Sequence, residues 1–478
     1  MAGPLLGDAP RSSTLRHPLA TALVVALAAL VAAPLLSLVL IALGGDRELW
    51  PHLAAYVLPV AAANTALLLA GVAAISVAAG VGAAWIVTAH EFPGRNALIW
   101  LLPLPLAFPT YIVAYVYADL LDAIGPVQSA LRAMFGWRTP ADSWFPEIRS
   151  LGGAIFVMGI VLYPYVYLAT RAMLQTQSAA MIEMARALGA SKWQLARDIV
   201  LPLARPAIAA GLALALLEAL NDIGASEYLG VQTLTLAVFN TWLNRSSLAG
   251  AAQIACVMLT VVAALIAFER HARMRRDFVG LDRKPGSATR VKLAGARGWL
   301  AAGLCALPVI LGFAVPFLHL LNEVVRRGLL ADFDPALLRH SLYTVLIAAA
   351  ATMLTLALGF GAALALRLLR RRFATLCVFV AGLGYAVPGT VLALGLLSPL
   401  VAVDEVLNGL TRAVAGTTVG LVLAGSSAAL VIAYTVRFVA IGTGFAQAGL
   451  ARIGDDLDEA ARSSGAPPGK VTRSIHLP

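Results

Sequence analysis

The residue types that could carry catalysis are present but never gathered. The seven histidines, His17, His52, His90, His271, His319, His340 and His476, show no metal-ligand spacing. Cys256, Cys305 and Cys377 each fall inside an apolar run, without disulfide or metal-pair spacing, and are expected to behave as small buried hydrophobes. Gly465-Ala-Pro-Pro-Gly469-Lys470-Val471 superficially suggests a phosphate-binding loop. It is one residue short between its glycines and has Val where a Ser or Thr must hold magnesium. No catalytic residue, metal ligand or cofactor site is therefore assigned to this chain.

A second chemistry is passage through a bilayer. Polar groups at membrane depth are costly and face protein or water. Asp119 and Asp122 end one apolar run that also holds Tyr111, Tyr115 and Tyr117. Glu218, Asn221 and Asp222 end another, followed by Glu227, and Tyr163, Tyr165 and Tyr167 lie in the run between. Tyr111, Tyr115, Asp119, Glu218, Asn221 and Asp222 form the candidate translocation path. The competing reading is interfacial aromatics and ordinary loop acids. Arg437 is expected near the inner end of its span, where its side chain can snorkel.

A third pattern is mechanical. Glu183-Met-Ala-Arg-Ala-Leu-Gly189, nine residues, then Ile199-Val-Leu-Pro202 recurs as Glu459-Ala-Ala-Arg-Ser-Ser-Gly465, nine residues, then Ile475-His-Leu-Pro478. The offset is a constant 276 residues, and both copies sit in polar sequence. Met181–Leu188 has helical composition, and Gly189 suits the left-handed residue that ends a helix. Ser191 and Gln194 have the spacing of a capping box for a second helix. Pro202 is expected to mark a break before Pro206 and the next apolar run. One copy could be a generic amphipathic hairpin; two copies in matching contexts argue for architecture.

These loops and polar residues must be carried by membrane helices. The chain has 478 residues, 60% hydrophobic and 13% charged, a membrane composition. Ten spans are expected, at 19–43, 60–87, 97–121, 151–168, 206–220, 248–268, 299–320, 342–366, 374–401 and 414–439. The two shortest, 151–168 and 206–220, are expected to extend into flanking polar residues. Residues 1–18 are expected to form a disordered cytoplasmic tail. With the amino terminus inside, roughly three quarters of the 35 Lys and Arg fall on the inner side. Because those cations lie in short loops between apolar runs, the net charge of +10 does not argue for nucleic acid.

A second set of matches supports duplication. Asn64-Thr65 pairs with Tyr343-Thr344, Gly80-Val-Gly82 with Gly359-Phe-Gly361, and Pro109 with Pro388, all at offset 279. The expected organisation is a first domain at 19–269 containing loop 183–202, a basic linker at 270–298, and a second domain at 299–478 ending on loop 459–478. Half one continues through two spans after Pro202, whereas the sequence stops at Pro478. A complete chain is accordingly expected to have twelve spans, and the second domain reads as truncated. Six spans per half make the repeats parallel.

The repeated loop resembles the EAA loop of binding-protein-dependent ABC import permeases, with Met184 as the first copy's departure. The resemblance implies an all-α polytopic membrane protein with the type I ABC importer permease fold. It also implies a coupling role for Glu183, Ala185, Gly189, Ile199, Leu201 and Pro202, and for Glu459, Ala460, Ala461, Gly465, Ile475, Leu477 and Pro478. The implied partners are two copies of an ABC ATPase subunit holding ATP and magnesium, a periplasmic substrate-binding protein and the lipid bilayer. The implied place is the bacterial inner membrane, amino terminus in the cytoplasm, and the chain itself would not be an enzyme. Ser191-Lys192-Trp193 is replaced by Pro467-Pro468-Gly469 in the second copy, which implies unequal docking of the two loops. The segment from Glu218 to Thr233, with Pro109-Thr-Tyr and Tyr434-Thr-Val-Arg437-Phe, resembles the fused ferric-iron uptake permeases; thiamine, phosphonate and polyamine permeases share much of this pattern. A secondary transporter with parallel repeats is the rival class, and would have no use for paired loops of this kind.

Overall fold

The computed structural model describes residues 18–45, 48–137, 139, 142, 146–175, 184, 187, 189, 191, 194–274, 290–328, 334–369, 372–466 and 468–476. The expected tail at 1–18 therefore lies almost wholly outside the described residues, as does most of the expected linker. Among the described residues the fold is helical, the exception being a two-residue parallel pairing of His90–Glu91 with Val291–Lys292.

Among the described residues nine helices are long and apolar enough to cross a membrane, and a bent pair makes ten if it is counted as one span. The two short expected spans do lengthen into polar sequence, to Leu151–Gln175 and Arg197–Asn221. Three other expectations are corrected. The run 97–121 is not one helix: Arg95–Ala107 and Thr110–Phe135 meet at 91°. Pro103, Pro105 and Pro109 each lack the N–H that an unbroken helix needs, so the chain turns there. The run 374–401 breaks at the equivalent point, into Arg372–Gly382, a short 3₁₀ turn at Leu383–Tyr385, and Gly389–Ala415 behind Pro388. The run 414–439 is displaced to Ser427–Leu450. Gly416 and Gly420 adopt φ of 69° and 74°, and the Asn408 side chain accepts from the N–H groups of Val419 and Gly420, so apolar residues 416–426 fold as a loop.

Proline also shapes spans without breaking them. Pro59, Pro202 and Pro316 each stand two residues after a π turn, at Leu53–Val57, Leu195–Val200 and Ile310–Ala314. A proline ring crowds the carbonyl four residues back and leaves it without a donor. A wider turn just before the ring relieves that crowding. Pro202 thus lies inside the continuous span Arg197–Asn221, correcting the expected break.

The chain forms two compact units, each mixing the sequence halves. One comprises residues to Leu40 with Asp334–Pro478. Within it Val24 packs with Ala365, Ala374 and Cys377, and the backbone of Pro34 lies directly on Gly395. The other comprises Ile41–Phe333. Its core joins Tyr163, Tyr167, Leu102, Leu195 and Val200 to Cys305 and Val309 from the span Ala296–Arg326.

The duplication has a structural counterpart inside the units. A Cβ at Gly80 would lie 2.9 Å from the Tyr163 carbonyl and the Tyr167 nitrogen. A Cβ at Gly359 would lie 2.6 Å from the Gly442 carbonyl carbon and 2.7 Å from the Thr443 nitrogen. Each half thus uses its matched glycine to bring two long helices into backbone contact.

Candidate functional site

The second loop is built on a short helix, Asp455–Ser463. It stops at Gly465, whose φ of 73° is open to glycine and costly elsewhere. The Ala466 N–H then bonds back to the Ala461 carbonyl at 3.0 Å, the closure expected of a glycine-terminated helix. A turn at Pro468–Val471 and a π turn at Thr472–His476 follow. Ile475 is half-buried, while Leu477 and Pro478 lie outside the described residues.

Two neighbours on this helix are placed against the usual pattern. Asp458 is 3% exposed, yet its neighbour Leu457 is 54% exposed, and Glu459 and Ala460 also face outward. A solvated helix would do the opposite. The buried carboxylate is fully engaged. Arg367 Nε donates to Asp458 Oδ2 at 2.7 Å, and His476 Nε2 lies 2.8 Å from Oδ1. Burial alone would raise the pKa of Asp458, but the Arg367 and His476 interactions outweigh it and hold the group below its ordinary value. The same guanidinium donates to the carbonyls of Leu450, which ends Ser427–Leu450, and of Ile453 just past it, at 2.6 and 2.9 Å. The Leu450 carbonyl also accepts the Ile453 N–H at 3.1 Å, so the guanidinium adds a second donor at this helix end.

The first loop repeats the turns but not the charges. Gly189 has φ 86°, and the expected capping box is formed: the Ser191 N–H donates to Gln194 Oε1 at 2.9 Å and the Gln194 N–H to Ser191 Oγ at 3.2 Å. Met184 is 64% exposed, at the position of Ala460. Ile199 is half-buried, Val200 buried, and Leu201 and Pro202 open the next α-helix. Glu183 and Ala185 lie outside the described residues, as do Lys192, Trp193 and Pro467. Val200 occupies the place of His476, and Thr88 that of Arg367 at the 279 offset.

The candidate path residues divide into groups. Thr110 donates its hydroxyl to the Asp222 carboxylate, which also accepts the Ala225 N–H at 2.9 Å. Tyr111 lies against Gly224, and Tyr115 meets Tyr228 edge-on at 5.9 Å. Arg149 covers the Tyr228 ring at 5.0 Å and reaches Asp122 at 3.2 Å. Tyr111, Tyr115 and Asp222 are therefore gathered where the helix Thr110–Leu121 meets Gly224–Tyr228. Asp119 turns elsewhere, its carboxylate 2.9 Å from His319 Nε2. Glu218 is half-buried, and the Asn221 side-chain oxygen is buried without a hydrogen-bond partner among the described residues. Tyr163 and Tyr167 are core residues, their hydroxyls donating to Leu102 and Ile99 carbonyls. Arg437 lies near the middle of Ser427–Leu450 beside Phe438, not near its end, because the span is displaced.

Sequence reasoning missed Arg367, Asp458 and His476 as a group and His319 as a partner. Arg367 and Asp458 are 91 positions apart, and no spacing rule joins them. Among the described residues no group of three or more His, Cys, Asp or Glu could hold a metal ion.

Residues 76–276 match the family described as binding-protein-dependent transport system inner membrane component. The chain is 28% identical over 208 residues to the molybdenum transport system permease protein ModB of Escherichia coli K12, covering 42% of this chain and 87% of that one. It is 32% identical over 173 residues to the sulfate transport system permease protein CysT of the same strain, covering 35% of this chain. The matched region spans only 57% of the length of CysT. A crystal structure of a bacterial alginate ABC transporter in complex with its alginate pentasaccharide-bound periplasmic protein is also similar, at 18% identity and a TM-score of 0.43 over 51% of this chain and 88% of that one.

Proposed function

We propose, from the match of residues 76–276 to the inner membrane components of binding-protein-dependent transport systems, that the whole protein is a fused pair of permease domains in an ATP-driven importer. The duplicated sequence halves, 19–269 and 299–478 joined by the linker 270–298, supply the two sides of one path across the bacterial inner membrane. The amino terminus and both glycine-turn loops face the cytoplasm. A periplasmic binding protein delivers cargo outside. Two ATPase subunits grip the loops inside, and ATP and magnesium are theirs. Closure of that pair moves the loops and rocks the path from inward-open to outward-open.

The observation that carries this reading is the helix Asp455–Ser463, with Asp458 hidden and Leu457 and Ala460 presented. A short helix that exposes Leu457 and Ala460 beside Glu459 outside the spans is suited to a partner's groove. The small side chains Ala460 and Ala461 permit close approach, and Glu459 is placed to meet a basic or N–H group there. The test is affinity purification of the chain from membranes of its source cells. An ATPase of the ABC class retained by the native chain and lost on Leu457→Asp with Glu459→Lys is the expected result. Retention by the double variant overturns the docking role.

The cargo proposed is ferric iron, on the resemblance of the segment Glu218–Thr233 and of Tyr434–Phe438 to ferric-type permeases. A second reading, a tetrahedral oxyanion, is favoured by the relatives that carry molybdenum and sulfate in their names. Uptake of radio-iron, radiomolybdate and radiosulfate by cells with and without the gene separates the two.

A further inference from the structure

The two loops share their glycine turns and their π turns but not the residue types at three matching positions. In the second loop three charged or titratable side chains from three separate segments meet in a buried cluster. Arg367 comes from the C-terminal end of Pro335–Leu369, Asp458 from the loop helix, and His476 from the π turn that leads out of the loop. The side chains of Arg367, Asp458 and His476 are 12%, 5% and 2% exposed.

One guanidinium thereby connects three elements: its own helix, the carbonyls that follow Ser427–Leu450, and the loop helix. The second oxygen of the same carboxylate closes the cluster onto His476. Arginine suits this work because its donors form a rigid planar fork, so several bonds fix one orientation. The matching positions of the first half, 88, 182 and 200, hold Thr, Ile and Val. Val200 stands where His476 does, and the Thr88 hydroxyl at the place of Arg367 is buried without a hydrogen-bond partner among the described residues.

We propose that Arg367, Asp458 and His476 form a brace that makes the second loop helix move as one body with the C-terminal end of helix Pro335–Leu369, a brace for which the matching first-half positions Thr88, Ile182 and Val200 carry no charge. The inference rests on the proposed role of these loops as the grip of an ATPase, and names the residues that pass the pull onward. They are positioning residues: Leu457, Glu459 and Ala460 meet the partner, and the brace decides where that face is held. A buried ion pair stripped of one member leaves an uncompensated charge, so the attachment responds sharply to single substitutions. The consequence is rigid transmission: the second loop carries its span with it.

The experiment uses the full chain with its ATPase bound and the three native cysteines replaced by alanine. Spin labels are placed at Ser463 and Leu356, both exposed and both in the same compact unit. Distances are measured without nucleotide and after trapping with ATP and vanadate. The brace predicts one narrow distance, the same in both states. Asp458→Asn and Arg367→Met should broaden it about twofold or more, with Arg367→Lys intermediate because it keeps the charge and loses the fork. Thr88→Val, at the matching place in the first half, should leave the distribution unchanged. A distance that shifts between states in the unmutated brace overturns the proposal, as does an Asp458→Asn distribution identical to it. Should Asp458→Asn fail to accumulate, Arg367→Lys and Thr88→Val carry the comparison. Loss of the ATPase from the unmutated chain would instead remove the grip itself, a failure read from co-purification before any distance is measured.

Discussion

The Tyr163 hydroxyl donates to the Leu102 carbonyl at 2.7 Å, inside the core of one unit. In an unbroken helix the Leu106 N–H would bond Leu102, but the bend redirects it to Pro103 at 3.2 Å. The tyrosine supplies the donor that the bend removes, so an irregular turn can be buried at all. Tyr163→Phe keeps the ring and strands the carbonyl. A loss of about 1–3 kcal/mol is expected, seen as a lower unfolding midpoint in detergent with spectra of the folded state retained.

Neighbouring glycines should respond in opposite ways. A Cβ at Gly80 or Gly359 would press on the backbone of the facing helix, whereas none of the atoms near Gly82 lies within 4 Å of its Cβ position. Gly80→Ala and Gly359→Ala are expected to cost about 1–3 kcal/mol as overpacking does, and Gly82→Ala to be neutral or slightly stabilising. Thermal unfolding of the three variants in one detergent checks the pattern.

Asp404 accepts the N–H groups of Val422, Leu423 and Ala424 at 3.1, 2.8 and 2.8 Å while fully buried. Asp404→Asn puts an amide donor where acceptors are needed. Hydrogen exchange at 419–424 is expected to accelerate by about tenfold or more, since each net bond is worth about 1 kcal/mol. Exchange in the helix Ser427–Leu450 should stay as slow as before.

Asp458 titrates below its ordinary value near 3.8 in the folded chain. A carboxylate with a depressed folded pKa binds protons more readily when unfolded, so its stabilisation is complete above the ordinary value. It is lost as pH falls through the folded value. The stability gap between the native chain and Asp458→Asn should therefore shrink as pH falls below about 4. Unfolding midpoints of both proteins across that range read it directly.

Much of the loop architecture was legible in the residues. Gly189 and Gly465 adopt the left-handed turns that their position after a helix implies, and Ser191 with Gln194 closes the box that their spacing implies. The long spans were legible as apolar runs. The errors came where hydropathy and geometry part. Residues 416–426 are apolar enough to pass for the start of a span, yet Asp404 and Asn408, earlier in the chain, take up their backbone N–H groups. Residues 97–121 and 374–401 are continuous in hydropathy and discontinuous in donors. The charged cluster around Asp458 could not be found by spacing, because its three members meet only after two helices have packed.

The exchange of first helices between the sequence halves bears on how the chain is made. Residues 18–40 cluster with residues from Asp334 onward, so nearly three hundred residues must be added before their unit can close. Until then the first helix must stay inserted without that unit's other helices. It can do so because its mean hydropathy, 2.8, is the highest of the nine long helices, sufficient to keep a lone segment inserted while its companions are synthesised.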